Sequence, residues 1–175
     1  MRAFINGSIL TVIALLVIGP NAFTRDARAE SSAAAVSSAD RASILRSLKM
    51  VADSRGQVEN ECSEKVTPQF LSADLGGVVG IAVLLVLEGG PNSVSCYGDG
   101  PGLTLMKREA VGWRNIYSSR GGYMAILKTQ HGGVHDIAFA GPGFNHPLWT
   151  WNGTTFTLSK RTVSDAQTAG AKIFP

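Results

Sequence analysis

The chain has 175 residues, of which 45% are hydrophobic and 17% charged. This composition is typical of a globular protein near the usual size of one domain, and it excludes a largely disordered chain. The formal net charge of +3 gives no support to nucleic-acid binding, because the basic residues are not clustered with aromatic residues. We therefore expect no nucleic-acid partner.

Residues 1–29 have the pattern of a signal peptide. Arg2 supplies the positive start, an apolar run of eleven residues extends from Ile9 to Gly19, and Ala27 and Ala29 stand at the spacing of a cleavage site. A membrane helix needs about 20 apolar residues, so a retained anchor is the less favoured alternative. Cleavage after Ala29 would leave 13 basic and 12 acidic side chains, a net charge of +1. The prediction is a periplasmic or secreted protein with no membrane span after cleavage.

Serine and alanine dominate residues 30–40, which we predict to be a flexible leader before a single domain at 41–175. A helix should follow, capped at its start by Ser38 or Asp40 and ended by Gly56. Its apolar stripe recurs at helical spacing and should pack against a sheet. The stripe consists of Ile44, Leu45, Leu48, Val51 and Ala52.

The two cysteines, Cys62 and Cys96, have no zinc-ligand spacing. In an oxidising compartment a disulfide between them is the natural pairing, and two buried thiols are the alternative. By closing the loop between these two residues, the disulfide would contribute roughly 3.8 kcal/mol to stability in the chain-entropy model.

From residue 78 onward, short apolar runs broken by glycine indicate antiparallel strands. Val78–Glu88 has no polar face, which predicts a buried central strand. Further strands are predicted at Ser93–Tyr97, Leu103–Lys107, Val111–Tyr117, Tyr123–Lys128 and Val134–Ala140. The predicted fold class is α+β, in which an N-terminal amphipathic helix packs on a curled antiparallel β-sheet, a meander of short strands with one disulfide.

The last predicted hairpin is centred on Asn152-Gly153, a strong signal for a two-residue turn. That turn would place Trp151 opposite Thr154 and Trp149 opposite Phe156. Alternation then gives an apolar face that we expect to face the core rather than a ligand. This apolar face consists of Trp149, Trp151, Phe156 and Leu158. The opposite face of the hairpin consists of Leu148, Thr150, Thr155 and Thr157. The preceding Gly141-Pro142-Gly143 is interpreted as a tight turn.

Two histidines and an aspartate, His131, His135 and Asp136, form a compact group of chemically active residues. Gly132-Gly133 argues against a helix, and on an extended strand the histidines would stand about 13 Å apart, too far for one metal ion. We therefore predict neither a metal site nor a cofactor. A small hydrolase that uses these three residues remains an alternative, although the G-x-S-x-G motif is absent.

The segment "FLSADLGG", Phe70–Gly77, followed by strands and later by "GPGF", resembles the single-repeat FG-GAP/VCBS-like domains of exported bacterial proteins. The matches to their motif F-x-x-x-D-L-N-G-D-G-x-x-D are Phe70, Asp74, Leu75 and Gly77. The departures are Gly76, Val78, Val79 and Ala82, so the calcium loop is degenerate. The resemblance implies a β-rich exported module for binding or scaffolding.

The sequence thus predicts a non-enzymatic binding or scaffolding protein of the bacterial envelope, whose partner is an envelope component or another protein. Binding would use turns such as "GGPNS" and "GDGPG", with candidate contact residues at Asn92, Tyr97, Asp99 and His146. Two alternatives stay open, namely the envelope hydrolase and a proteinaceous inhibitor of a secreted enzyme, which would need a protruding loop.

Overall fold

The computed structural model describes residues 35–89, 96, 100–140 and 145–175. The predicted signal peptide and the "GPG" turn lie outside the described residues, as do the predicted strand Ser93–Tyr97 apart from Cys96 and the first part of the predicted leader.

Helix α1 spans Ser38–Ser47 and begins inside the segment predicted as a leader. The Ser37 hydroxyl caps it by accepting a hydrogen bond from the backbone N–H of Asp40 at 3.1 Å. The helix ends much earlier than Gly56, so the predicted C-terminal boundary is wrong. The helix ends because Lys49, just after it, adopts a left-handed backbone conformation with φ of 58°. Val51 lies beyond the helix, and 82% of its surface is exposed.

The first sheet has four antiparallel strands in sequential order: β3 (Gln69–Asp74), β4 (Ile81–Leu87), β5 (Gly102–Arg108) and β6 (Trp113–Arg120). A short hairpin precedes it, formed by β1 (Val58–Glu59) and β2 (Lys65–Val66). The prediction of a buried central strand is confirmed in β4, where every residue from 82 to 87 is buried. The strand starts three residues later than predicted because residues 77–79 form a turn.

The second sheet has five strands in the order β10-β9-β8-β7-β11. These strands are β7 (Tyr123–His131), β8 (Val134–Ala140), β9 (His146–Trp151), β10 (Phe156–Val163) and β11 (Lys172–Phe174), and the short helix α2 (Asp165–Thr168) precedes the last of them. The antiparallel arrangement is confirmed. The prediction of one curled sheet is wrong, because the strands divide into two sheets and β11 returns to pair with β7.

One apolar core joins the two sheets. Leu84 and Leu105 of the first sheet belong to the same buried cluster as Met124, Ile137 and other residues of the second. Burial of such side chains on both inner faces is the main stabilising term for a two-sheet fold. The outer face of the first sheet is covered separately by α1 and the β1–β2 hairpin, which supply Leu45, Val58 and Val66.

The predicted disulfide is confirmed. Cys62 and Cys96 are bonded, and their Cα atoms lie 5.7 Å apart. Cys62 lies in the turn of the β1–β2 hairpin, a turn that the buried Asn60 organises by accepting hydrogen bonds from the backbone N–H groups of Cys62 and Glu64. The disulfide therefore ties this hairpin to the connection between β4 and β5.

The segment that carries the FG-GAP/VCBS resemblance forms β3 and the turn after it. This turn docks on the β7–β8 turn of the other sheet, where the backbone N–H of His135 donates to the carbonyl of Leu75 at 2.8 Å. The approach is so close that a Cβ atom at Gly77 would lie 2.6 Å from the carbonyl oxygen of Gly133. Glycine is therefore required sterically at residue 77.

The hairpin of β9 and β10 has a different register from the predicted one. Trp151 pairs with Phe156 and Trp149 with Leu158, so the loop has four residues and the predicted two-residue turn is wrong. The Asn152 side chain accounts for the longer loop, because its Oδ1 accepts hydrogen bonds from the backbone N–H groups of Thr154 and Thr155. An error of two residues leaves Trp149, Trp151, Phe156 and Leu158 together on one face, as predicted, whereas Thr155 lies in the loop.

Candidate functional site

The aromatic face of the β9–β10 hairpin packs inward. Trp151 and Phe156 are buried in the core between the sheets and meet edge to face, with ring centroids 5.5 Å apart. Trp149 packs edge-on against Tyr117 at 4.8 Å, and burial raises the pKa of the Tyr117 hydroxyl to about 12. The expectation that this face serves packing rather than ligand binding therefore agrees with the structure, although Leu158 at its end is 58% exposed.

Of the four predicted contact residues, Asn92, Tyr97 and Asp99 lie outside the described residues. His146 is described, and only 5% of it is exposed. Its Nε2 lies 2.6 Å from Oδ1 of Asp165, so the imidazole joins β9 to α2. His146 is therefore buried, whereas a contact residue was expected at the surface, and its contact role stays a prediction.

His131, His135 and Asp136 do not converge on one point. His131 Nδ1 lies 2.6 Å from Asp136 Oδ1, whereas His135 follows the opposite face of β8, because neighbouring residues of a strand alternate. The Nδ1 atom of His135 donates to the carbonyl of Leu127 at 2.6 Å, since a carbonyl oxygen can only accept. Its Nε2 atom lies 3.1 Å from the amide nitrogen of Gln130, so both ring nitrogens are occupied.

A tight turn creates the His131–Asp136 pair. Gly132 and Gly133 both have positive φ, 60° and 76°, which matches the two-residue hairpin turn that glycine favours. The pairing of β7 with β8 also shifts in register between Ile126 and Gln130. This shift breaks the regular alternation of an extended strand, on which the predicted spacing of the histidines depended. Even so, no group of three His, Cys, Asp or Glu side chains in the described part of the chain could hold a metal ion.

Asp136 lines a small cavity on the outer face of the five-stranded sheet. We call this cavity the Asp136 pocket; its volume is about 110 Å³. The aspartate is completely buried, and its Oδ2 atom has no hydrogen-bond partner. The pocket is lined by Leu127, Lys128, Thr129, Asp136, Leu148, Arg161, Val163, Gln167, Ala169 and Ala171.

A larger depression, which we call the sheet groove, lies on the outer face of the four-stranded sheet. Its volume is about 460 Å³, within the ~300–1,000 Å³ typical of ligand pockets. Its lining is mixed: it includes the apolar residues Leu48, Met50, Leu85, Leu87 and Leu103, the polar or charged residues Glu59, Asn60, Glu61, Thr104, Asn115, Ser118, Ser119 and Arg120, and Gly102.

The groove exists because α1 and the β1–β2 hairpin cover only part of the sheet. Leu85 pairs with Thr104, and Thr104 pairs with Ser118, so these three side chains lie side by side on one face. Leu85 is buried under the helix and hairpin, while Ser118 on the edge strand is exposed. At the rim Arg120 forms an ion pair with Glu61 at 2.7 Å, which links β6 to the hairpin turn.

Sequence reasoning missed the sheet groove because its residues come from four strands and two connecting segments and form no local motif. The only available signal was the change from apolar residues in β4 to Thr104 and Ser118 on the neighbouring strands, which indicates one partly open sheet face.

No family model, curated protein or solved structure matches this chain. Within the described ranges, the helices are too short and too polar to span a bilayer.

Proposed function

We propose that the protein is an exported, non-enzymatic binding protein of the bacterial envelope that holds a small amphiphilic ligand in the sheet groove. The observation that carries this proposal is the mixed lining of the groove. It combines aliphatic side chains such as Leu48 and Leu87 with hydrogen-bonding side chains of β5 and β6. A ligand with an apolar part and a polar part would bury both against matching partners.

Part of the polar lining is preorganised. The Asn115 amide donates to the Ser118 hydroxyl at 2.8 Å, and that hydroxyl donates to Thr104 Oγ1 at 3.4 Å. Side chains that are already oriented lose little conformational freedom on binding, which favours affinity. The Cys62–Cys96 disulfide, which ties down the hairpin at the rim, supports an oxidising compartment.

The test compares a groove-filling variant with a matched control. Ser118→Trp places a bulky side chain in the groove from the edge strand β6, while Thr157→Trp changes an exposed residue of the edge strand β10 outside it. Each protein is incubated with a solvent extract of bacterial envelope lipids and examined by native mass spectrometry. We expect bound small molecules on the wild type and on Thr157→Trp, and none on Ser118→Trp. Equal occupancy of the two variants would refute the groove as the site.

A hydrolase is the second candidate, and the His131–Asp136 pair is the observation that favours it. A buried carboxylate that holds an imidazole is the arrangement that orients a general base. Hydrolysis of model esters that is lost in His131→Gln and kept in His135→Gln would support this candidate. We expect instead only the uncatalysed background hydrolysis of these esters, at a rate that neither variant changes. The inhibitor hypothesis depends on turns that lie largely outside the described residues.

A further inference from the structure

The lining of the sheet groove changes from apolar to polar in the direction that crosses the strands. Leu87 of β4 pairs with Gly102 of β5, and Gly102 pairs with Arg120 of the edge strand β6. A second row of paired residues runs in the same direction from the buried Leu85 to the exposed Ser118. Both rows line the groove. A ligand lying along them would place its apolar part over β4 and its head group at the sheet edge.

The charged side chains of the groove are already paired. Arg120 lies 2.7 Å from Glu61, and Glu59 lies 3.7 Å from Lys65. Glu59, Glu61 and Arg120 are the charged residues in the described lining, and together with Lys65 their charges cancel. A charged head group would therefore lose hydration in the groove without meeting an unpaired opposite charge.

The Thr104 hydroxyl offers a hydrogen-bond donor between the apolar and polar parts of the lining. The Ser118 hydroxyl accepts from the Asn115 amide and donates its single proton to Thr104 Oγ1. Thr104 must direct its own proton elsewhere, because a hydroxyl has one proton and two lone pairs. Within the described ranges no side chain or carbonyl accepts that proton. A ligand oxygen that accepts it would find a partner already oriented by its neighbours.

The size of the groove limits the ligand to one short chain. Its volume of about 460 Å³ corresponds to roughly 15 water-sized units at ~30 Å³ each. Monooctanoylglycerol has about that number of non-hydrogen atoms, whereas a lipid with two long acyl chains exceeds it.

We propose that the sheet groove binds an uncharged monoacyl ester with a hydroxylated head group, of the monoacylglycerol class. The acyl chain lies over Leu85 and Leu87, and the ester carbonyl accepts the proton of Thr104. The head-group hydroxyls reach Ser118 and the solvent at the sheet edge. This inference rests on the proposed function, which it narrows from amphiphiles in general to one chemical class.

The experiment titrates monooctanoylglycerol, octanoate and octylamine into the full chain at neutral pH and follows binding by calorimetry, below the concentrations at which micelles form. The three ligands carry alkyl chains of similar length and differ mainly in the head group. We expect octanoate and octylamine to bind about tenfold more weakly than monooctanoylglycerol, because each brings an uncompensated charge into the groove.

A hydroxyl deletion tests the hydrogen bond to the ester. Thr104→Val keeps the shape of the side chain and should weaken monooctanoylglycerol binding about fivefold. It should have little effect on octylamine, whose ammonium group cannot accept the Thr104 proton. The matched control is Thr157→Val, which changes an exposed threonine of β10 outside the groove lining and should alter neither ligand.

Two exposed variants test the charge pairing. Arg120→Gln leaves Glu61 without its partner and should strengthen octylamine binding about threefold. Glu61→Gln leaves Arg120 without its partner and should strengthen octanoate binding by a similar factor. A change that merely loosened the hairpin would move the affinities of all three ligands together.

The inference is overturned if octanoate or octylamine binds as tightly as monooctanoylglycerol, or if Thr104→Val and Thr157→Val lose equal affinity. If binding of a charged ligand is then abolished in Ser118→Trp, the groove is still the binding site and only the ligand class is wrong. Absence of binding for all three ligands also overturns the inference, and the envelope lipid extract then decides the proposed function separately.

Discussion

Replacing Trp151 by alanine tests whether the aromatic hairpin supports the shared core. The side chain is only 7% exposed, and a buried tryptophan removes about 150–250 Å² from water, worth about 4–6 kcal/mol at ~25 cal/mol per Å². Measured losses for such truncations are about 3–5 kcal/mol. However, the Nε1–H of Trp151 is buried without an acceptor. Removing this unpaired donor stabilises the folded state by about 1–3 kcal/mol and so offsets part of the loss. We therefore expect a net loss centred on about 2 kcal/mol.

The free energy of unfolding is measured by urea denaturation followed by circular dichroism. Leu158→Ala is the matched control, because Leu158 stands on the same face of the hairpin but is 58% exposed, and it should change stability by no more than about 0.5 kcal/mol. Trp151→Phe, which keeps an aromatic ring and removes the unpaired donor, should lie closer to the wild type than Trp151→Ala. Equal urea midpoints for Trp151→Ala and Leu158→Ala would refute the reasoning.

Two further predictions concern the β3–β4 turn and the start of α1. Gly77→Ala should lose about 1–3 kcal/mol more than Gly80→Ala in urea denaturation, because both residues have positive φ but only Gly77 contacts Gly133; equal losses would contradict a steric requirement. The Ser37 hydroxyl, and after it Arg108, hold the pKa of the Asp40 carboxyl below its ordinary value. The ionised carboxyl therefore stabilises the folded state above the pKa that Asp40 has in the unfolded chain, and this stabilisation is lost as the pH falls. Asp40→Asn should therefore lose less stability than wild type between about pH 5 and about pH 3, and identical acid losses would count against this pairing.

The sequence by itself determined those features that depend on local alternation or on residue type. The apolar run of β4 predicted a buried central strand because a strand covered on both faces needs no polar side. Cys62 and Cys96 were the only candidates for the disulfide. The faces of the β9–β10 hairpin were predicted correctly despite the wrong turn, because an error of two residues in register preserves the alternation of side chains.

Only the tertiary structure decided where the chemically active groups meet. His146 meets Asp165 of α2, 19 residues along the chain, and no local pattern predicts that contact. The Gly132-Gly133 turn pairs His131 with Asp136 and turns His135 to the opposite side of the strand. The sheet groove and the Asp136 pocket are formed by residues from distant elements, whose positions follow from the packing of two sheets and the return of β11 to β7. Sequence periodicity indicates which face of an element is apolar, but only packing decides which element covers it and which polar group is left without a partner.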